Sequence, residues 1–332
     1  MKFLLTIIQA AGLGCASVAA GRRVLHYLQL ESYQLPGYVK SVRRNAMRAL
    51  IPPIAMAAVG VAALRLSGLT GLALLLEALT AALLVWQAAK EKAKKPFVAT
   101  ERVKRLLAVH VAVNTVLALA LLTVSPVLGY LLPAFEPALL MLAALIAAPM
   151  EKHIAGQFIK DAQARLAAQP GLIKIGITGS YGKTSTKFLL RDILSVKYNV
   201  LATPSSFNTP MGVTRVIREQ LTPAHQVFIA EMGARHVGDI RELVELVHPQ
   251  MGLITSVGPQ HLDTFGTIER VRDTKYELIE GLPKDGTAVF ARDGAICEAL
   301  FERCPLEQKY KPGMLVDAKN VACGPWGTRF TL

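Results

Sequence analysis

The chain divides by its pattern of apolar and polar positions. Residues 1–150 are dominated by long apolar runs, and residues 151–332 mix the two kinds of position as a globular domain does. The five apolar runs lie at 3–20, 49–64, 69–89, 106–124 and within 131–150. Each run approaches the ~20 residues that a helix needs to cross the hydrocarbon core of a bilayer. The pattern predicts an all-α transmembrane region of about five helices over residues 1–150. The fifth run is also compatible with a re-entrant or interfacial segment, because two prolines and Glu136 crowd its start.

The charge pattern predicts how this region is oriented. The net charge is +13, and the segments 22–48 and 90–105 carry ten of those thirteen charges. By the positive-inside rule both segments are predicted to be cytoplasmic loops, with the N-terminus outside and residues from 151 onward in the cytoplasm. The basicity is therefore a topology signal. It does not indicate a nucleic-acid groove, and no nucleic-acid partner is expected.

A segment that resembles a cleavage site, an acidic residue within a span and four cysteines also need interpretation. The segment Ser17-Val-Ala-Ala-Gly21 resembles a signal-peptide cleavage site. Cleavage there would leave four crossings and place the basic segments outside, so an uncleaved anchor is favoured. Glu77 interrupts the third run, either as a functional acid or as a solvated or paired one. The four cysteines form no C-x-x-C pair, and reduced thiols without a chemical role are expected.

Residues 151–332 alternate between helix-like and strand-like segments after a predicted helical linker at 151–170. Strands are predicted at 172–177, 199–202, 226–230, 251–256 and 287–290. Helices are predicted at 184–196, 211–220, 237–247 and 268–280. Such alternation predicts an α/β domain with a mostly parallel sheet, helices on both faces, and ligands at the carboxyl ends of the strands. The final run, 327–332, is strand-like with no closing element after it, which suggests that the domain is incomplete.

The strongest motif is T-G-S-Y-G-K-T at residues 178–184. It follows a predicted strand and opens a predicted helix, which is the geometry of a phosphate-binding loop. The residues of the motif expected to contact nucleotide are Gly179, Ser180, Tyr181, Gly182, Lys183, Thr184 and Ser185. Lys183 is placed to reach the β- and γ-phosphates of ATP, and the Thr184 hydroxyl to bind Mg²⁺. The general pattern G-x-x-x-x-G-K-[ST] is not complete, because Ile177 occupies its first glycine position. The alternative, a glycine-rich surface turn, does not explain why strand, Gly-Lys-Thr and helix coincide.

Four further motifs follow in order: F-N-T-P-M-G (207–212), E-M-G-A-R-H-V-G-D (231–239), T-S-V-G-P-Q-H-L-D (255–263) and R-D-T-K-Y-E (272–277). With the glycine loop they resemble the central ATPase domain of the Mur ligases, most similar to the enzymes that add D-alanyl-D-alanine in peptidoglycan synthesis. The resemblance covers residues 171–332 and implies a P-loop ATPase.

The resemblance also implies roles for individual residues. Lys183, His261 and Lys275 would be catalytic, and Asn208 would contact substrate. Two Mg²⁺ sites are implied, with Thr184 and Glu231 as ligands of the first, and His261 and a carbamylated Lys275 at the second. The residues alone leave other interpretations open: an ion-paired or helix-capping acid at Glu231, a loop cap at Asn208 and a solvated helix lysine at position 275.

The implied reaction is ATP-driven amide formation through an acyl phosphate. The implied partners are a muropeptide precursor and an amino acid or dipeptide, at a bacterial cell membrane. Membrane spans stand where the family has a domain that grips a uridine nucleotide, so both nucleotide-linked and lipid-linked precursors are open. A membrane scaffold that only binds nucleotide is the alternative from another class.

Overall fold

A computed structural model describes residues 2–91, 96–205, 207–315, 319–325 and 327–331. The chain forms two compact units, Met1–His153 and Ile154–Leu332, which are described separately below. Residues 92–95 of the predicted basic loop 90–105, and the last residue of the predicted run 327–332, lie outside the described residues.

The first unit is all-helical. Its helices are α1 (Lys2–Ala20), α2 (Arg22–Leu30), α3 (Leu35–Arg44), α4 (Ala46–Ser67), α5 (Thr70–Lys90), α6 (Glu101–Val124), α7 (Pro126–Tyr130), a 3₁₀ turn (Leu132–Phe135) and α8 (Glu136–Ala167), which continues into the second unit. Among the described residues, five helical stretches are long and apolar enough to cross a membrane: Phe3–Ala20, Ala46–Ser67, Thr70–Lys90, Glu101–Val124 and Leu132–Ala167. They coincide with the five apolar runs of the sequence.

The basic segment 22–48, predicted to be a cytoplasmic loop between two spans, is mostly helical. Helices α2 and α3 occupy most of it. Leu25 and Leu28, one helical turn apart on α2, are buried together with Tyr38 of α3 in one apolar cluster. The segment therefore has amphipathic periodicity under its charges, and this periodicity makes it fold as helices.

A buried polar cluster lies among the apolar helices of this unit. Nε2 of His110 lies 2.8 Å from a carboxylate oxygen of Glu136. The Ser17 hydroxyl donates to the other oxygen of Glu136 over 2.8 Å. All three side chains are buried. Glu77 of α5 is also buried, and neither of its oxygens has a hydrogen-bond partner among the described residues. The solvated alternative for Glu77 is thereby excluded.

The second unit is built on a parallel sheet. Its strands are β1 (Ile173–Thr178), β2 (Val200–Ala202), β3 (Val227–Glu231), β4 (Met251–Ile254), β5 (Thr287–Phe290) and β6 (Lys309–Tyr310), in the order β2-β3-β1-β4-β5-β6. The helices between and after them are α9 (Lys183–Leu194), α10 (Pro210–Gln220), α11 (Asp239–Val247), α12 (Leu262–Phe265), α13 (Ile268–Glu280) and α14 (Gly294–Arg303). Every strand pair in this sheet is parallel, which confirms the predicted α/β class.

Both faces of this sheet are covered. On β3, Phe228 and Ala230 join the larger apolar cluster, and Val227 and Ile229 join a second cluster that includes side chains of α9. Alternate residues of one strand point to opposite faces, so the two clusters are the two sides of the sheet. Strands β7 (Lys319–Gly324) and β8 (Gly327–Thr331) form a separate antiparallel pair, so the predicted terminal strand has a partner.

Candidate active site

The glycine loop lies at the carboxyl end of β1 and leads directly into α9. Gly179 and Gly182 have φ values of +147° and +79°, a region that side-chain-bearing residues rarely adopt. A Cβ on Gly179 would also lie 2.1 Å from Oγ1 of Thr255. The two glycines are therefore required by backbone conformation, and Gly179 also by the close approach of β4.

The turn after β4 fixes this loop in place. The backbone N–H of Tyr181 donates to the Ser256 hydroxyl over 2.7 Å, and that of Ser180 to the Ser256 carbonyl over 2.8 Å. The Ser180 hydroxyl donates to the Gly258 carbonyl over 3.0 Å. The motif 255–263 thus supports the phosphate loop from the neighbouring strand, which its position in the sequence alone did not indicate.

Lys183 begins α9 and folds back over the loop. Its Nζ donates to the carbonyl of Gly179 over 2.7 Å and to that of Ser180 over 3.3 Å. Burial lowers the pKa of the Lys183 ammonium, and the carboxylate of Glu231 acts in the opposite direction. The ammonium therefore lies where a phosphate held by the loop would be placed.

Three side chains converge on Glu231, the last residue of β3. The Thr184 hydroxyl donates to Oε2 over 2.9 Å, and Nδ2 of Asn208 donates to Oε1 over 3.1 Å. Lys187 donates to Oε2 over 2.9 Å and to the Ser205 carbonyl over 2.6 Å. Glu231 is therefore an ion-paired acid, as the alternative interpretation held, and it also meets the two predicted site residues Thr184 and Asn208.

Lys187 is a site residue that the sequence reasoning missed. Its side chain is fully buried. It lies three residues after Thr184 on α9, and side chains at that spacing share one face of a helix. The signal that could have found it was the helical spacing between Thr184, which ends the motif, and Lys187.

Gly233 allows Asn208 to reach this cluster. A Cβ at Gly233 would lie 2.7 Å from Cγ of Asn208. The backbone N–H of Gly233 donates to the Asn208 carbonyl over 2.9 Å. The motif beginning at Glu231 is thereby joined to the one that contains Asn208.

Lys275 lies on α13 with only 1% of its surface exposed, which excludes a solvated helix lysine. Its pKa is lowered to about 8, mainly by burial and also by the charge of Lys183, while Asp239 and Glu277 act in the opposite direction. The neutral amine is the form that reacts with carbon dioxide, so this environment fits carbamylation.

His261 caps the short helix α12 with a left-handed backbone, at φ +55°. Burial lowers the pKa of its imidazole, and the positive charges of Arg235, Lys275 and Lys183 also lower it. The carboxylate of Asp263 acts in the opposite direction. The lowered pKa favours the neutral imidazole, which is the state that can bind a metal.

Arg235 and His236 belong to a loop that two carboxylates hold in place. Oδ2 of Asp239 accepts from the backbone N–H groups of Arg235 and His236 over 2.7 and 2.8 Å. Glu277, on the same helix as Lys275, accepts from Gly238 N–H over 2.9 Å. The loop and α13 are therefore tied to each other.

The donor set fits Mg²⁺ at the first site. The Thr184 hydroxyl and the Glu231 carboxylate offer two oxygens next to the phosphate loop. The described residues contain no group of three or more His, Cys, Asp and Glu side chains arranged to hold a metal. Mg²⁺ commonly takes one or two carboxylates and completes its shell with phosphate oxygens and water, so this sparse set is sufficient.

A parallel sheet with a Gly-Lys-Thr loop at its carboxyl edge and an adjacent carboxylate defines an α/β nucleotide-binding domain. Residues 177–319 match the family model of the Mur ligase middle domain. This part of the second unit is thus similar to a Mur ligase middle domain, as the motifs predicted.

Named relatives each match part of the chain. The UDP-N-acetylmuramoyl-tripeptide–D-alanyl-D-alanine ligase of Mycobacterium tuberculosis strain H37Rv is 40% identical over 130 residues, which are 39% of this chain and 25% of that protein. The Escherichia coli K12 ligase of the same name is 30% identical over 158 residues, which are 46% of this chain and 35% of that protein. The chain thus spans about a quarter to a third of the length of these relatives. Among solved structures, the MurF ligase of Thermotoga maritima in complex with ADP is 28% identical with a TM-score of 0.47, over 53% of this chain and 41% of that one.

Proposed function

We propose that the protein is a membrane-bound, ATP-dependent ligase of peptidoglycan precursor synthesis. The observation that carries the proposal is the convergence of Thr184, Lys187 and Asn208 on Glu231 beside the glycine loop, within a Mur ligase middle domain. The curated relatives are named for joining D-alanyl-D-alanine to a UDP-linked muramoyl tripeptide. The acceptor here would be a muropeptide precursor, and the amine an amino acid or dipeptide.

ATP would bind with its phosphates on the loop at 179–185. The N-terminus of α9 offers free backbone N–H groups and the positive end of a helix dipole, and Lys183 adds a full positive charge. A cavity of about 490 Å³ lies against α9 and the carboxyl ends of β4 and β5. Its lining includes Thr186, Thr255, Phe290, Tyr310 and Leu315. A mostly apolar cavity next to the phosphate loop suits a purine base.

Two Mg²⁺ ions would supply charge neutralisation along the path of phosphoryl transfer. Thr184 and Glu231 would hold the first. His261 and Lys275, once Lys275 is carbamylated, would hold the second. Carbamylation is supported by the burial of Lys275, its pKa of about 8 and its approach to Lys183.

In the reaction, a carboxylate oxygen of the acceptor attacks the γ-phosphorus of ATP, and ADP leaves. The incoming amine then attacks the acyl carbon, phosphate leaves, and the amine loses a proton. Lys183 would neutralise the transferred phosphoryl group, and Asn208 would orient the acceptor. Lys187 would hold the carboxylate of Glu231 toward Thr184.

The first unit would anchor the enzyme in the bacterial membrane through five spans. The basic segments 22–48 and 90–105 would face the cytoplasm, together with the ATP site. Five long apolar helices and the asymmetric basic charge support this placement. A membrane-bound ligase could take its acceptor from the cytosol, as a nucleotide-linked muropeptide, or from the membrane, as a lipid-linked one.

The proposal is tested by ATP turnover of the full-length protein with nucleotide-linked and lipid-linked muropeptide acceptors. ADP release that depends on both acceptor and amine, with the acyl phosphate trapped as a hydroxamate by hydroxylamine, is the expected result. Lys183→Ala should abolish it, with ATP affinity about 10- to 150-fold weaker through loss of a charge-assisted contact. ATP binding without acceptor-dependent turnover would favour the nucleotide-binding scaffold instead.

A further inference from the structure

A polar cavity of about 390 Å³ lies in the first unit, where the apolar helices α1 and α5 end. Its lining includes Arg22, Arg23, His26, Tyr27, Glu91 and Phe97. The lining comes from α2, from the end of α5, which crosses the membrane in the placement proposed above, and from the residues that follow α5. Trp86, more than half exposed on the last turn of α5, carries the Lys90 ammonium 3.6 Å from its ring centre. Tryptophan and lysine side chains are typical of the level at which lipid headgroups meet the hydrocarbon core.

The two arginines retain donors for an anion. A guanidinium has five N–H donors. Arg22 donates from Nη1 to the Val85 carbonyl over 3.2 Å, and its guanidinium carbon lies 5.6 Å from the centre of the Phe97 ring. Arg23 donates from Nη2 to Glu91, but its Nε is enclosed without a hydrogen-bond partner among the described residues. An enclosed donor without an acceptor costs free energy, so the Arg23 guanidinium would gain by turning this N–H toward an oxyanion in the cavity.

We propose that this cavity binds the phosphate headgroup of an anionic membrane lipid. Planar guanidinium groups match the geometry of phosphate oxygens, and basic pockets between membrane helices on the cytoplasmic side are a common form of lipid site. The side chain of Glu91 is about half exposed and pairs with Arg23, so it competes with the lipid for that guanidinium. The inference rests on the proposed membrane placement and is independent of the ligase reaction.

The test is native mass spectrometry of the full chain in detergent, without ATP, titrated with dioleoyl phosphatidic acid. The first molecule of phosphatidic acid should bind more tightly than further molecules of it. It should also bind more tightly than dioleoyl phosphatidylcholine, whose choline shields the phosphate. Equal affinity for the two lipids would overturn the proposal. Displacement of the phosphatidic acid by an equal concentration of inorganic phosphate would also overturn it, since the cavity would then recognise free phosphate.

Variants assign the binding to this cavity. Arg22→Gln with Arg23→Gln should weaken phosphatidic acid binding at least about tenfold, because charge-assisted hydrogen bonds are lost. The matched control is Arg43→Gln with Arg44→Gln, which removes the same charge from an exposed pair in the same basic segment and should leave the affinity within about twofold. Equal weakening by both pairs would mean nonspecific charge attraction and would overturn the site.

Glu91→Gln tests the site by an increase in lipid affinity, which a misfolded variant would not produce. It removes the carboxylate that competes for Arg23 and should tighten phosphatidic acid binding severalfold. Unchanged or weaker binding by Glu91→Gln would contradict the proposal. If the full-length protein bound phosphatidic acid as expected but showed no ligase activity, that result would contradict only the proposed function.

Discussion

At the scale of single residues, the centre of the site is the buried pair of Lys187 and Glu231, with a nitrogen–oxygen distance of 2.9 Å and almost no exposure of either side chain. A buried pair of this kind contributes little net stability compared with an apolar replacement, but removal of one partner leaves an uncompensated charge. The stability of the site therefore depends on both partners being present together.

Lys187→Met should destabilise the second unit by about 3–5 kcal/mol, because Glu231 is left buried without its cation. The measurement is chemical denaturation of the purified protein, followed by a probe in the second unit. Adding Glu231→Gln to Lys187→Met should recover part of the loss, because the unpaired charge is gone. Lys197→Met, at an exposed lysine just beyond α9, is the control and should change stability by no more than about 0.5 kcal/mol. If Lys197→Met lost as much stability as Lys187→Met, the loss could not be attributed to the buried ion pair.

Lys275→Ala should abolish ligation while ATP binding is largely kept, because Lys183 and Thr184 are unchanged. The measurement pairs ligation rate with nucleotide affinity in the full-length protein. Bicarbonate should stimulate the wild type, and a small carboxylate in solution should partly restore the variant by occupying the vacated ligand position. Ligation by Lys275→Ala at the wild-type rate would show that this lysine does not hold a metal.

The pH dependence of bicarbonate stimulation follows from the same residue. Burial depresses the pKa of Lys275 to about 8, so the share of neutral amine rises as the pH increases through about 8. The same depression means that burying the charged amine costs stability in full below about pH 8, and that this cost is relieved as the pH rises toward the ordinary lysine value of about 10.5.

Residue-level reasoning from the sequence located much of this chemistry. Gly-Lys-Thr placed Lys183 and Thr184 at a helix start, and Glu231 ended an apolar strand, so both could be predicted from local pattern. The burial of Lys275 and the pairing of Lys187 could not, because each depends on packing between segments far apart in the chain. Without the resemblance to the Mur ligases, a lysine on an amphipathic helix would be predicted to be exposed to solvent.

At the scale of elements, the phosphate loop depends on the neighbouring strand as much as on its own glycines. The sequence predicted the strand–loop–helix order from local pattern. It did not predict that Ser256 and Gly258 hold the loop, because that contact requires β1 and β4 to be adjacent in the sheet. The helices in segment 22–48 were not predicted, because the interpretation of that segment used its positive charge and not the helical spacing of Leu25 and Leu28.

Gly179→Ala should displace the loop and weaken ATP binding more than tenfold, because the new methyl group would meet Thr255 in a backbone region that costs about 1–3 kcal/mol for a non-glycine residue. Isothermal titration with ATP measures the effect. Gly171→Ala is the matched control, because among the described residues no non-neighbouring atom lies within 4 Å of the added Cβ, and the φ of Gly171 is not positive. ATP affinity equal to wild type in Gly179→Ala would mean that this loop does not contact the phosphates.

At the scale of the whole molecule, a domain similar to the Mur ligase middle domain is joined in one chain to a unit whose described residues include five helices of membrane length. The apolar runs predicted all five helices, because the bilayer thickness sets the length of an apolar helix that can cross it and such a run is visible in the local sequence. The buried cluster of Ser17, His110 and Glu136 was not predicted, because it brings together residues from three separate helices.

The proposed topology is tested by cysteine labelling in cells, with the native cysteines replaced. A cysteine at position 99, in the second basic segment, should react only after the membrane is made permeable. A cysteine at position 125, between α6 and α7, should react from outside in intact cells. The reverse pattern would invert the whole arrangement and place the ATP site outside the cytoplasm.

The pairing of Glu231 with Lys187 also has a thermodynamic consequence for how the site fills. A divalent cation that approaches the nucleotide-free protein meets a carboxylate whose charge is already balanced by an ammonium 2.9 Å away. Its affinity should be low until phosphate oxygens arrive to share it, so nucleotide and cation would each raise the affinity of the other by the same factor. The protein would then remain largely metal-free when ATP is absent, and the Lys187 ammonium would determine the order in which charge enters the site.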